Sequence, residues 1–414
     1  MIALSRRQAL AGATMLALPR IANAADDARL KSVLDGLPKD GDPAASFDAL
    51  RDFEPGTLKL PAQLDLLTIR AGLAVDLEIA RRFPGVKGIA AVPTSDRAGY
   101  YGLLLKRRLG GVEIGAARRQ VDAALGTLAA RADAALRAIG HSEGSVGARL
   151  TALVADERFL YSDDEIGRDR AVADMNRTLA ARRAQVGDAF DSVPAWCLDV
   201  AVSRASRADE AAGRAGRRNL PGPGRPGGYI VDLKTIRRRP NWTLGSVVAH
   251  ELLPGHLIQL PLEATDGPHP LRLDYASAFV EGWGIYAEQL AAAQGAFAGD
   301  ALGLIGHLHW LLFRTTRGIV DFGIHLDGWS TDRAREYFEE HLGPPAYFAP
   351  YDVELTRTAA EPSSRAADAL AWLAIADLAP RDVRRRKAFH AHVLAGGRKR
   401  IEHLRRYVTT GSLT

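Results

Sequence analysis

Apolar residues recur at helical spacing over most of this chain. Val121, Leu125, Leu128, Ala132 and Leu136 fall three or four positions apart and mark one buried stripe of a helix. Residues 60–140 read as helices of this kind, and the stripe is core rather than a cofactor site. Ser162 followed by Glu165 is a capping box, which predicts a helix opening there and running toward Ala189. The pattern changes at Pro194–Val202, PAWCLDVAV, which reads as a strand, and at Tyr229–Leu233, YIVDL, which reads as a second. Between them Arg204–Gly228 is rich in Arg, Gly, Ala and Pro, has no P-loop spacing, and reads as a mobile connection. Leu244, Val247 and Val248 then bury one face of a further helix, and Leu271–Ala293 is helical again. The expected fold class is mainly α, with a small sheet beside the helix that starts near Leu244.

The first residues change this picture. A twin arginine, Ser5-Arg6-Arg7-Gln8, leads into a short apolar run, Ala9–Leu18, and then Ala22-Asn23-Ala24, an A-x-A site. The run is too short to span a bilayer. We expect a Tat signal over 1–24, cleaved after Ala24, and a periplasmic or secreted product. The whole chain is formally +5; residues 1–24 hold three arginines and no acid, so the processed chain is +2. So small a balance argues against a nucleic-acid partner. The basic runs Arg381–Lys387 and Arg398–Lys399 read as solvated helix faces. No later stretch is apolar for long enough to predict an integral membrane segment. Cys197 is the single cysteine, so no internal disulfide forms; its apolar surroundings mark a buried structural thiol.

The candidate chemistry lies in His250-Glu251-Leu252-Leu253-Pro254-Gly255-His256 and in Glu281-Gly282-Trp283-Gly284-Ile285-Tyr286-Ala287-Glu288. Two histidines and a carboxylate form the ligand set of a catalytic zinc, and a glutamate directly after the first histidine is placed as a general base. We therefore expect His250, His256 and Glu281 to bind one Zn2+, with Glu251 as the base. The two histidines are six residues apart, and an unbroken helix would turn the second away by roughly 240°. Pro254, which cannot donate its backbone N–H, and Gly255, which tolerates unusual dihedrals, predict a break that swings His256 back. Glu288, seven residues after Glu281, can orient a ligand histidine or be a plain surface carboxylate. Tyr286 can line the cleft or simply pack.

Arg314, Arg317, Asp321 and His325 are spaced three, four and four apart in an otherwise apolar helix. Such a polar stripe is a cleft wall or an internal ionic network. As a cleft wall, His325 or an arginine would stabilise an oxyanion, and Arg314 and Arg317 would grip a substrate carboxylate.

HELLPGHLIQ resembles the HExxPGHxxQ signature of the bacterial family called domain of unknown function 885, a family placed with gluzincin-like metallopeptidases. Arg225-Pro226-Gly227-Gly228-Tyr229, the Glu281–Glu288 block, the Arg314–Trp329 block and the segment from Asp156-Glu157-Arg158-Phe159 resemble other blocks of the family. The resemblance runs from about Leu150 onward. It implies a multi-helical metallopeptidase-like fold, a peptide or amide substrate, and a strand near Tyr229 that holds extended substrate by main-chain bonds. One block departs from the family: Glu361-Pro362-Ser363-Ser364-Arg365-Ala366 stands where Pro-Gly-Gln-Ala is expected. The N-terminal half is also reduced. The expected organisation is a helical region over 25–190 and a catalytic region over 191–414. The expected function is hydrolysis by metal-activated water; the alternative is an inactive metal- or peptide-binding protein on the same scaffold. A serine mechanism has no support, since no G-x-S-x-G elbow occurs.

Overall fold

A computed structural model describes residues 23–38, 41–345 and 350–414. The export signal expected over 1–24 therefore lies, up to residue 22, outside the described residues. The chain is mainly helical, as its periodicity implies, with one small sheet. Helix α1 (Ala24–Asp35) and helix α2 (Leu60–Arg82) enclose a minor core around Leu30, Leu34, Leu66 and Ile69. The major core runs from Ile89 to Leu404 and takes residues from both sides of position 190.

Helix α3 (Ile114–Ala138) buries Val121, Leu125, Leu128, Ala132 and Leu136, the stripe its spacing marks out. Each such leucine or valine contributes roughly 1.5–3 kcal/mol by leaving water. Helix α4 (Glu165–Ala189) starts on a different cap from the expected one. Asp164, not Ser162, accepts the Gly167 N–H at 2.7 Å, and Ser162 Oγ donates to Asp164 instead. A carboxylate at this position also favours the helix dipole, which explains why it displaces the hydroxyl.

The sheet has the order β1–β3–β2. Strand β1 (Val200–Arg204) lies parallel to β3 (Gly227–Val231), with Val202 opposite Tyr229. The expected strand at Pro194 starts six residues late, because Ala195–Leu198 winds into a 3-10 turn that buries Cys197. Burial pushes that thiol up to about 11, so it is inert. The segment between the strands is not simply a mobile connection. It holds a short helical turn and β2 (Arg217–Asn219), antiparallel to β3, with Arg218 opposite Tyr229.

Helix α5 (Leu244–Glu251) stops at Glu251, and helix α6 (His256–Asp266) starts at His256. The break falls where Pro254 and Gly255 predict it. A side chain at Gly255 would meet the His250 carbonyl oxygen at 2.0 Å, so only glycine lets the chain fold back this tightly. The helix expected over Leu271–Ala293 is two pieces, Pro270–Tyr275 and α7 (Ala278–Ala293). Helix α8 (Ala301–Leu326) is buried over nearly its whole length, polar residues included. Helix α9 (Tyr351–Ala360) and helix α10 (Ser364–Leu378) pack against it. Arg398 and Lys399 are not solvated. Arg398 pairs with Glu263 at 2.6 Å, and Lys399 Nζ donates to the Val393 and Gly397 carbonyls. Among the described residues no helix is long and apolar enough to cross a membrane.

Candidate metal centre

The chain reversal after Glu251 brings His250 and His256 face to edge, with Nε2 to Nε2 at 3.1 Å. Both rings are buried. Each is held by its other nitrogen. His250 Nδ1 donates to Glu288 Oε1 at 2.8 Å, and His256 Nδ1 donates to the Gln259 amide oxygen at 3.2 Å. These acceptors place the proton on Nδ1 and leave a lone pair on each Nε2. Two lone pairs facing one another across 3.1 Å need a cation between them, either a proton on one Nε2 or a metal ion shared by both.

Glu281 enters from α7. Its Oε2 is 3.4 Å from His250 Nε2 and its Oε1 is 3.7 Å from His256 Nε2. One ligand atom from each of the three residues lies within 4.8 Å of the others. Gly284, one turn along the same helix, makes the space: a side chain there would meet His250 Cε1 at 2.6 Å and His256 Nε2 at 2.9 Å. The donor set, two neutral imidazoles and one carboxylate, fits a divalent cation such as zinc.

Electrostatics separates the two rings, and His250 is the one inclined to carry a proton when no metal displaces it. Burial, with Arg218 and His250 nearby, holds His256 well below its ordinary value, so it is neutral. Burial and Arg314 also oppose a charge on His250, but Glu281 and Glu288 outweigh them and raise it. Desolvation works against the Glu281 charge too, yet the two histidines and Arg314 keep that carboxyl well below the usual range. Glu288 is fully enclosed; burial opposes its charge, but His250, Arg314 and Ser246 outweigh that and lower it, with Ser246 Oγ donating to its second oxygen at 2.7 Å. Of the two readings of Glu288, the geometry is that of a residue orienting His250.

Glu251 faces the same cavity, about 530 Å³, which reaches His250 and Glu281. Arg218 of β2 donates from Nε to Glu251 Oε2 at 2.6 Å. Tyr229, Arg314 and Arg317 line this cavity as well. Arg314 Nη2 comes within 3.4 Å of His250 Nδ1 and 3.5 Å of its Nε2.

Three expected residues stand elsewhere. Tyr286 gives its hydroxyl to His390 Nε2 at 2.9 Å and packs on Trp283, away from the cavity wall. Asp321 accepts the backbone N–H groups of Ser363, Arg365 and Ala366 at 2.9–3.0 Å. His325 meets the Thr358 carbonyl at 3.0 Å. The polar stripe thus divides by position along α8. Its first two members reach the cavity, whereas Asp321 and His325, further along, bind the ends of α9 and α10 and touch neither ligands nor cavity. An oxyanion role for His325 has no geometric basis.

Several residues at the site carry no signal in the spacing of the motifs. Arg218 and Ser246 lie outside both motifs, and Arg365 and Glu354 come from the C-terminal helices. Gln259 was visible as the last letter of HELLPGHLIQ, and Gly284 within EGWG, but neither has a role that spacing reveals.

The fold has solved counterparts. A candidate lipoprotein from Colwellia psychrerythraea aligns with a TM-score of 0.68 at 24% identity, covering 93% of this chain and 69% of its own. A candidate lipoprotein of unknown function from Shewanella oneidensis aligns with a TM-score of 0.59 at 16% identity, covering 92% and 70%. Both show a shared fold. No curated protein matches the sequence. Residues 109–408, which carry the sheet, both motifs and the three candidate ligands, match the model of a family described as bacterial protein of unknown function, and the chain belongs to that family, DUF885.

Proposed function

We propose that this protein is an exported, zinc-dependent hydrolase of peptide or amide bonds. The observation that carries the reading is the convergence of the His250 and His256 Nε2 atoms, 3.1 Å apart, with a Glu281 carboxylate oxygen, and with a second glutamate, Glu251, on the same cavity. The Tat-type start supports export. Zinc bound there would polarise a carbonyl and bring the acidity of water close to neutral.

The chain's own groups have separable tasks. Glu288 and Gln259 fix the ring orientations of His250 and His256. Glu251 takes the proton of the attacking water and returns it to the leaving amine. Arg218 occupies Glu251 Oε2 and so leaves Oε1 for that proton. The guanidinium of Arg314, beside His250, is placed to meet negative charge developing on the substrate oxygen. The edge strand β2, which carries Arg218 on the cavity wall, is the element positioned to hold an extended substrate by main-chain bonds.

The test is peptide-library turnover by zinc-loaded protein, with Glu251→Gln as control. The amide cannot accept a proton, so turnover should fall by about 10²–10⁴ while zinc content stays the same. Full activity in that variant, or no turnover of any peptide by the loaded wild type, would remove the hydrolase reading and leave a binding protein.

A further inference from the structure

The cavity lining as a whole holds more positive than negative charge. Arg218, Arg314, Arg317, Arg357 and Arg365 line it, against Asp232, Glu251, Glu281 and Glu354. The pairing within this set decides what is left over. Arg218 is committed to Glu251. Arg317 and Arg365 share one carboxylate, Glu354, each with Nε at 2.8 Å. Their next acid, Asp368, is 3.7 and 3.9 Å away, beyond hydrogen-bond reach.

Arg317 Nε is too poorly aligned with Glu354 to hydrogen-bond, but it keeps that charge contact at 2.8 Å; two guanidiniums have no carboxylate that close among the described residues. Arg314 is 8% exposed, and its Nε has no hydrogen-bond partner among the described residues. Its nearest carboxylate, Glu288, is 3.7 Å away and already holds His250 and Ser246. A buried guanidinium without a paired carboxylate is costly, and an incoming anion at its cavity-lining edge lowers that cost. Arg357 is exposed at the cavity mouth, one turn after Glu354 on α9, and its guanidinium makes no ion pair among the described residues. A divalent cation on His250, His256 and Glu281 would add to the excess.

We infer that the cleft selects ligands that carry a carboxylate, received between Arg314 at its floor and Arg357 at its mouth. A guanidinium presents a planar fork of donors that matches a carboxylate in charge and shape. The substrate identity rests on the peptidase reading, but the anion preference does not require turnover. The carboxylate is either the free C-terminus of a short peptide, which would make the enzyme an exopeptidase acting from that end, or an acidic side chain next to the scissile bond.

The experiment is calorimetric binding to the zinc-loaded full chain of four acetylated tetrapeptides. They differ only in a free or amidated C-terminus and in Glu or Gln at one internal position. At least one carboxylate form should bind about tenfold more tightly than the peptide with neither. Arg357→Gln, a surface change, should erase most of that preference at unchanged zinc content, and Arg357→Lys should restore part of it. A preference that follows the C-terminus identifies the exopeptidase case; one that follows Glu identifies the side-chain case. Equal binding of all four peptides, no binding of any, or an undiminished preference in Arg357→Gln would overturn the inference. Selective binding without hydrolysis would keep it and sink the peptidase reading; hydrolysis without selectivity would do the reverse.

Discussion

Arg218 and Glu251 link the sheet directly to the motif helix: Nε to Oε2 is 2.6 Å, and Glu251 is 8% exposed. The strand therefore positions the residue proposed as general base. Nothing in HELLPGH announces this, because Arg218 lies 33 residues upstream in a segment that reads as a loop.

Arg218→Gln tests that link. Zinc content should be unchanged, because Arg218 holds no ligand histidine. Turnover should fall by roughly 10–100-fold, as when a residue that orients a reacting group is lost. Arg218→Lys should recover part of it, since a charge remains but not the guanidinium fork. An Arg218→Gln enzyme as fast as wild type would make the pair a bystander.

Gly255 sets the fold-back. In Gly255→Ala the new methyl group would lie 2.0 Å from the His250 oxygen and 2.5 Å from that of Ala249, so the backbone must shift and take His256 with it. Zinc affinity, read by competition with a chelator, should weaken at least about tenfold. Helical content should hardly change, since the core is built from other residues. Wild-type affinity in this variant would show that His256 can reach the metal without the tight break.

The departure at Ser363 has a conformational consequence. Where relatives of this family are expected to carry glycine, Ser363 adopts φ 68° and is fully buried, and its hydroxyl lacks a partner among the described residues. A non-glycine residue in this region costs about 1–2 kcal/mol, partly offset by the roughly 0.5–1 kcal/mol of extra chain entropy glycine loses on folding. The backbone N–H bond to Asp321 survives substitution. Ser363→Gly should therefore raise stability by up to about 1 kcal/mol in chemical denaturation. A clear loss of stability would mean that the hydroxyl has a partner.

Acid should destabilise the metal-free protein. Burial pushes His307, His309, His390 and His403 down to about 4. Their unfolded counterparts take up protons below about 6.5. The stability they contribute is thus complete above about pH 6.5 and is lost as the pH falls toward 4. Asp368, pushed up to about 7 by burial and then by Glu281, works in the opposite sense, losing its contribution as the pH rises through that value. His256 and His269 are lowered as well, whereas His250, Asp65, Asp266 and Asp321 are raised with Asp368. Unfolded histidines titrate within this window and unfolded carboxylates below it, so the six lowered histidines decide, and the urea midpoint in chelator should be lower at about pH 5 than at about pH 7.5. A flat or rising profile toward acid would contradict this.

Much of the architecture was legible because helical burial is periodic. The Val121–Leu136 stripe and the Pro254-Gly255 break follow directly from residue type and spacing. That His250, His256 and Glu281 converge was readable for the same reason, since each motif is local. What was not legible depends on long-range contact. The strand β2 is three residues long and exists only by pairing with β3, so its sequence has no pattern of its own. Asp321 and His325 share spacing with Arg314 and Arg317, but spacing fixes only the helix face. Whether that face meets a cavity or the start of another helix changes along its length.

The central claim is that His250, His256 and Glu281 hold one divalent cation. Anomalous diffraction at the zinc edge, from crystals of zinc-loaded protein, tests it most directly. The prediction is one strong peak per chain, about 2.0–2.1 Å from Nε2 of both histidines and about 2.0–2.2 Å from a Glu281 oxygen, and its loss in His256→Ala. Fully loaded crystals with no peak between the two imidazoles, or with the metal held by other residues, would contradict it.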